Sequence, residues 1–310
     1  MSDPLSSIPG VQRSVSLAPL TTYKLGGRAA WFVEVDDDGH LDDVLRSLPP
    51  GVEMLVLGRG SNLLVADSGF RGLVVRLGGA FLGAKVEDDG TVVAGGAAPL
   101  PRVARAAAEA GRCGLEFYAG IPGTVGGAVT MNAGGHGSDT AERLISAVVV
   151  NRTTLQRSVR TAEELSLSYR HSNLGPNDLV TSARFSTSPC ARAAAEAHIR
   201  EITRWRKRHQ PGGTFNAGSV FKNPPGDAAG RRIDAAGLKG LRGGGVAVSE
   251  MHAHVFTADE DAVALDVWAL VSAVRTRVVA AEGGWLDPAI RVVGVFEERG
   301  KEPLGPETAG

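Results

Sequence analysis

Neither sign of charge dominates this chain, cysteine occurs twice, and aromatic residues make up only 5% of its 310 positions. With 33 Lys+Arg against 34 Asp+Glu, there is no basic surplus to hold nucleic acid and no acidic tail. Cys113 and Cys190 stand far apart without metal-ligand spacing, which predicts two reduced thiols rather than a disulfide framework. No apolar run reaches the roughly 18 residues of a membrane-spanning helix. The opening MSDPLSSIPG has neither a basic region nor an apolar core, so it does not read as a signal peptide. The expected place is the cytoplasm, with no membrane, nucleic-acid or inferable protein partner. A 43% hydrophobic, 22% charged composition describes a globular protein of two or three domains, long enough to bury a sizeable core.

What the chain has in quantity is glycine, 41 residues, and it clusters. The stretch GLEFYAGIPGTVGGAVTMNAGGHG, Gly114 to Gly137, sets glycines beside apolar positions rather than in a polar linker. Such a loop brings backbone close to a ligand, and its successive N–H groups can hold an anion such as a pyrophosphate. Taken singly, each glycine reads as a turn residue; the clustering with Pro122, Thr124 and Asn132 favours a cofactor loop. Upstream, MLVLGRGSNLLVADSGFRG (Met54 to Gly72) places a turn, Gly58 to Asn62, between strands at Met54–Leu57 and Leu63–Val65. It is not the dinucleotide fingerprint, because no G-x-G-x-x-G opens a helix there.

Around these loops the pattern predicts strands at 30–35, 73–77, 91–94, 147–151, 179–185, 218–221, 245–248, 254–257 and 290–293. Helices are predicted at 41–48, 101–110, 193–209 and 228–236, with a short one at 162–165. A long amphipathic helix is marked by Val263, Val267, Leu270, Val271, Val274 and Val278. Residues 1–18 read as a loose lead-in, 186–191 as a linker and 297–310 as a frayed tail.

The two glycine stretches, with TTYKLGG (Thr21–Gly27), SYRHS (Ser168–Ser172) and NAGSVFKNPPGDAAGRRIDAAGLKG (Asn216–Gly240), resemble the UDP-N-acetylenolpyruvoylglucosamine reductase family over roughly residues 20–294. That family is related to vanillyl-alcohol oxidase. The resemblance implies an α+β fold, in which a two-domain FAD-binding fold of the vanillyl-alcohol oxidase type carries a C-terminal α+β substrate-binding domain. The implied divisions are 1–77, 78–188 and 189–296. It implies non-covalent FAD, NADPH as co-substrate and a UDP-sugar substrate whose enolpyruvyl ether is reduced in peptidoglycan precursor synthesis. The cofactor residues would be Gly58, Arg59, Gly60, Ser61, Asn62 and Leu63, then Gly120, Ile121, Pro122, Gly123, Thr124, Gly126, Gly127, Ala128, Asn132, Gly134, His136, Gly137 and Val180.

For catalysis the resemblance points to Arg170 and Ser219. A guanidinium is permanently charged and holds a carboxylate bidentately; Arg170 would grip the enolpyruvyl carboxylate and stabilise the enolate, and Ser219 would deliver a proton. Without the resemblance, Arg170 reads as a surface ion-pair partner and Ser219 as a turn residue. Tyr169, His209, Lys222 and Asn223 would bind substrate. His252 and His254 form an H-x-H pair with no third ligand nearby in sequence, so no metal site is expected.

One position departs from the pattern. Where the family has L-E-P-E-[VI]-R, with the second glutamate catalytic, this chain reads Leu286-Asp287-Pro288-Ala289-Ile290-Arg291. Asp287 lies on the same face of an extended strand but about 6.6 Å along it. Three readings follow: the NADPH-dependent reductase itself, tolerating an alanine at 289; a paralogue using the same FAD site on another substrate in specialised metabolism; or a flavin-binding pseudoenzyme.

Overall fold

The computed structural model describes Leu5, residues 8–212 and residues 215–296; the expected tail at 297–310 lies outside the described residues. The chain runs through β1 (Gln12–Ser16), β2 (Arg28–Val35), α1 (Asp38–Ser47), β3 (Met54–Val56), β4 (Leu63–Val65) and β5 (Phe70–Leu77). β6 (Ala84–Val86), β7 (Val92–Gly95), α2 (Leu100–Glu109) and β8 (Arg112–Cys113) come next, then α3 (Val125–Thr130), β9 (Gly134–Gly135) and β10 (Ser138–Asp139). β11 (Leu144–Asn151), β12 (Arg157–Thr161), β13 (Asp178–Phe185), β14 (Ser188–Pro189) and α4 (Arg192–His209) follow. The last elements are α5 (Ala229–Ala235), β15 (Arg242–Gly243), β16 (Val246–Val248), β17 (Phe256–Ala258), α6 (Ala264–Glu282) and β18 (Arg291–Val293). The described residues divide into two compact units: Leu5 and residues 8–12, 31–59 and 72–206 in one, and residues 13–30, 60–71, 207–212 and 215–296 in the other.

The first unit holds two cores. In the smaller, Leu41, Val44 and Leu45 of α1 pack with Val33, Val35, Leu73 and Val75. The helix starts where the Asp37 carboxylate accepts His40 N–H at 2.8 Å, satisfying an orphan donor of the first turn. The larger core lies on a five-stranded antiparallel sheet, β12-β11-β13-β7-β6, with Ala147 opposite Ala183 and Ser182 opposite Gly95. Alanines Ala104, Ala107 and Ala108 of α2 join Tyr118, Val125, Val149 and Phe185 in it. Pro99 and Pro101 open α2, and Gly111, at φ +68°, follows its end, the placement each residue favours.

Two sequence expectations fail in this unit. Cys113 and Cys190 are bonded to one another, with Cα atoms 5.8 Å apart. β8 pairs with β14, Ser188 opposite Cys113, so a two-residue ladder inside the supposed linker closes a separation of 77 residues. The short helix expected at 162–165 is a single turn instead. Thr161 and Glu164 bond each other's backbone N–H, and Ser166 turns the chain away at φ +47°.

The second unit is organised by α6. Its Val267, Leu270, Val271, Val274 and Val278 are fully buried, each contributing about 1.5–3 kcal/mol. They pack with Ile233 of α5, Val246, Val248 and Phe256 of the β15-β16-β17 sheet, and Tyr23, Leu25 and Leu64. The Asp67 carboxylate caps α6 from a distant loop, accepting Ala264 N–H at 2.9 Å and Leu265 N–H at 3.0 Å. β18 runs parallel to β4, Arg291 opposite Leu63. β1 corrects the expected loose lead-in over its own residues: Leu17 N–H reaches Gly27 O, and Arg28 Nε reaches Ser14 O at 2.6 Å. The strand expected at 218–221 is only two isolated pairings, Ser219 with Val255 and Phe221 with Pro288. The strand expected at 254–257 begins later, at Phe256, because Val255 N–H closes a turn onto His252 O.

Candidate active site

In the first unit the central glycine stretch is a 3₁₀ turn (Glu116–Gly120), a loop, α3 and the β9-β10 hairpin. Its shape depends on missing side chains. A Cβ on Gly58 would stand 2.6 Å from Thr124 Oγ1, and one on Gly126 3.1 Å from Gly96 O and 3.3 Å from Val180 O. Gly127 faces Thr124 Oγ1 at 3.6 Å, while Gly137, at φ +82°, faces open space. Gly58 and Gly126 therefore close-pack the loop as a main-chain cradle, in contacts with Thr124, Gly96 and Val180 that a larger side chain would break. Ala128 is buried in the core beside it. Ile121 and Gly123 are held by turn hydrogen bonds and flank Pro122; Arg59, next to Gly58, is exposed.

Behind the loop, Tyr118 Oη donates to Thr140 Oγ1 at 3.0 Å, and Thr140 Oγ1 donates to Ala133 O at 2.8 Å. Burial raises the Tyr118 pKa well above a free phenol, so the hydroxyl stays a donor. His136 stands at φ +56° against Gly120, its ring edge-to-face with Trp205 at 5.1 Å. Burial, then Arg206 and His198, holds its pKa below the usual histidine value.

Arg170 occupies a left-handed backbone position, φ +55°, in a turn closed by Ser168 and His171. Its Nη2 donates to Gly134 O at 3.4 Å, and among the described residues no carboxylate lies within ion-pair distance of it. Tyr169 beside it is 55% exposed. The half-buried guanidinium is thus bonded to the glycine hairpin while, among the described residues, its charge is not paired with an acid.

In the second unit Gly60, at φ +61°, packs against Leu20 O and Thr21. Ser61 is half-buried, and Leu63 begins β4. Asn62 is tied to the C-terminal strand: its Nδ2 donates to Ala289 O at 3.0 Å and its carbonyl accepts Arg291 N–H at 2.8 Å. Ser219 is half-buried; Val220 N–H donates to His254 O, and Ala289 N–H to Val220 O at 2.7 Å. Val220 is thus the residue to which both His254 and Ala289 are joined by main-chain bonds. Lys222 N–H bonds Asp287 O, which keeps the exposed Asp287 one pleat repeat away from Ala289. Asn223 Oδ1 accepts Ala229 N–H at the start of α5, and His209 is exposed at the end of α4. His254 is 9% exposed and its Nδ1 is buried without a hydrogen-bond partner. Burial, then His252, pushes its pKa down to about 4. The two rings meet edge-to-face at 4.8 Å from turn positions rather than along a strand face.

Sequence reasoning missed the Tyr118–Thr140 pair, the ring of Trp205 and the contacts of Asn132, all made between residues too distant in the chain for any spacing rule. A depression of about 460 Å³ lined by Phe81, Lys85, Val148 and Arg157 contains none of the predicted site residues. Its Arg157 is already paired with Asp38 and Asp42.

Residues 29–157 match the family described as FAD binding domain. The fold and its glycine cradle thus define a flavoprotein, an FAD-binding domain joined to a separate C-terminal α+β domain. Residues 210–293 match the family described as UDP-N-acetylenolpyruvoylglucosamine reductase, C-terminal domain. A UDP-N-acetylenolpyruvoylglucosamine reductase of Rhodopseudomonas palustris (strain BisB5) is 45% identical over 280 residues, 90% of each chain. That of Caulobacter vibrioides is 41% identical over 281 residues, 90% of this chain and 93% of its own. The crystal structure of the Thermus caldophilus UDP-N-acetylenolpyruvylglucosamine reductase superposes with a TM-score of 0.80 at 36% identity, covering 92% of this chain and 99% of that one. The chain belongs to the UDP-N-acetylenolpyruvoylglucosamine reductase family.

Proposed function

We propose that this chain reduces the enolpyruvyl ether of a UDP-sugar with NADPH, as a step in peptidoglycan precursor synthesis. The observation that carries the reading is Arg170, a cation without an acid partner among the described residues, on a turn hydrogen-bonded to the glycine hairpin. Gly58 to Leu63, Gly120 to Thr124, Gly126 to Ala128, Gly134, His136, Gly137 and Val180 would hold FAD. Bound there, FAD would supply the hydride chemistry that links NADPH to the methylene carbon of the enol ether. Arg170 grips the carboxylate and stabilises the negative charge that builds at C2, as fixed charges do in other active sites. Ser219 gives the proton to C2, and Tyr169, His209, Lys222 and Asn223 hold the rest of the UDP-sugar. We assign residues 1–77 and 78–188 to the two FAD-binding subdomains and 189–296 to substrate binding. Among the described residues no helix is long and apolar enough to cross a membrane; the reading places the enzyme with its small-molecule substrate in the cytoplasm.

Ala289 weakens this activity. A serine hydroxyl is a very weak acid, and losing a positioned acid–base group costs about 10²–10⁴-fold in rate. The test is to mix the FAD-loaded protein with NADPH and the enolpyruvyl UDP-sugar and follow flavin and product, for the wild type and for Ala289→Glu. The expected outcome is slow product formation that the glutamate speeds by about 10²-fold or more. Wild-type turnover of roughly 1–10³ s⁻¹ would show that Ala289 is no handicap. A protein that cannot be loaded with FAD would end the reading.

A further inference from the structure

We infer that Asn132 is a positioning residue for Arg170, not a ligand of the cofactor; the inference rests on the assignment of Arg170 to the substrate carboxylate. A side-chain amide has two N–H donors and one carbonyl acceptor. Both donors of Asn132 are spent within the protein: Nδ2 donates to Asp139 Oδ2 and to Ser168 O, each at 3.1 Å. Its Oδ1 accepts Ala141 N–H at 2.9 Å. The residue is 3% exposed and sits at φ +39°, a left-handed conformation that asparagine tolerates better than most residues. No donor is left for a flavin or a phosphate, so the glycine-loop position that suggests a cofactor contact has another use.

That use follows from what the amide touches. Ser168 opens the turn that carries Arg170, and Ser168 and His171 bond each other across it. Alternate residues of one short segment grip this turn at three points. Thr130 O accepts Ser172 Oγ–H at 2.7 Å, Asn132 donates to Ser168 O, and Gly134 O accepts from Arg170 Nη2. The Arg170 bond ends on Gly134 of the hairpin's first strand, and Asn132 reaches Asp139 of its second strand and Ala141 just beyond it. Asn132 therefore couples the orientation of the guanidinium to the loop assigned to FAD, and a carboxylate is recognised in a fixed place relative to that loop.

The experiment exchanges the pair. In Asn132→Asp/Asp139→Asn the Asp139 contact is rebuilt with reversed polarity and Ala141 keeps its acceptor, but Ser168 O loses its donor. The readout is the ratio of dissociation constants for the UDP-sugar without and with its enolpyruvyl group, taken from the flavin absorbance change, so no turnover is required. The exchange is expected to retain FAD and affinity for the plain UDP-sugar, and to lose about tenfold of the preference for the carboxylate. Adding Arg170→Ala to it should give no loss beyond that of Arg170→Ala alone. Ser172→Ala, which cuts only the neighbouring tie, should lower the preference in the same direction by about two- to fivefold. The inference is overturned if both variants keep the wild-type preference, or if the exchange releases FAD as readily as it loses the carboxylate. A wild type with no preference for the carboxylated sugar overturns the assignment of Arg170, and the inference with it.

Discussion

The Arg170 turn and the Ser219 segment are held by different physics. Around Arg170 the ties come from side chains, with Asn132, Ser172 and the guanidinium itself each bonded to a named carbonyl. Around Ser219 the pairings to His254, Ala289 and Asp287 are main-chain bonds: Val220 N–H to His254 O, Ala289 N–H to Val220 O and Lys222 N–H to Asp287 O. The first arrangement depends on which residues are present. The second survives substitution as long as the backbone register holds, and there the buried His254 imidazole stands with an Nδ1 that has no hydrogen-bond partner among the described residues.

If that contrast is right, the two catalytic candidates fail differently. Ser219→Ala should leave the backbone pairings intact, spare flavin reduction by NADPH and slow flavin reoxidation by substrate, by up to about 10²–10⁴-fold if the serine is the only acid. Arg170→Ala should lower substrate affinity and turnover together, with kcat/KM down about 10²–10³-fold. Stopped-flow measurement of the two half-reactions separates them, and a Ser219→Ala enzyme reoxidised at the wild-type rate would move the proton source elsewhere.

A smaller effect comes from His254. Its folded pKa, about 4, lies below the ordinary value of 6.5, so between these pH values the unfolded chain binds the extra proton. Its contribution to stability is present above pH 6.5 and is lost as pH falls toward 4, by roughly 3 kcal/mol at most. His254→Asn should flatten that part of the urea-denaturation stability curve against pH. An unchanged slope would mean that the imidazole is protonated in the fold.

The smallest effect sharpens the comparison from the packing side. Asp67→Ala removes both carboxylate bonds at the start of α6 and should cost about 1–2 kcal/mol. FAD content should be unchanged, a result that thermal unfolding and flavin absorbance can check together.

The long elements could be read from the sequence because their signals are local. The 3.6-residue repeat from Val267 to Val278, the proline at the head of α2 and the glycine at its end all lie within one element. The glycine stretches also stood out, since glycine beside apolar residues announces close backbone approach. What could not be read was made by contacts across the chain. Cys113 meets Cys190 through a ladder of two residues a side, and Asn132 has the same sequence context whether its amide faces a cofactor or Ser168 O. The segment at 218–221 alternates like a strand, yet its pairings stay isolated because the chain from Ser249 to Val255 turns instead of extending.

The pairing of β4 with β18 also sets an order of events during synthesis. Asn62 bonds to a residue 227 positions later, and β4 finds its parallel neighbour only in Arg291–Val293. At roughly 5–20 residues per second, about 10–45 s separate the making of these partners. For most of that interval the early pieces of the second unit, residues 13–30 and 60–71, exist without most of the core they will join. The unit assembled last therefore includes some of the residues translated first, and Gly60 to Leu63 take their final place only when nearly the whole chain has been made.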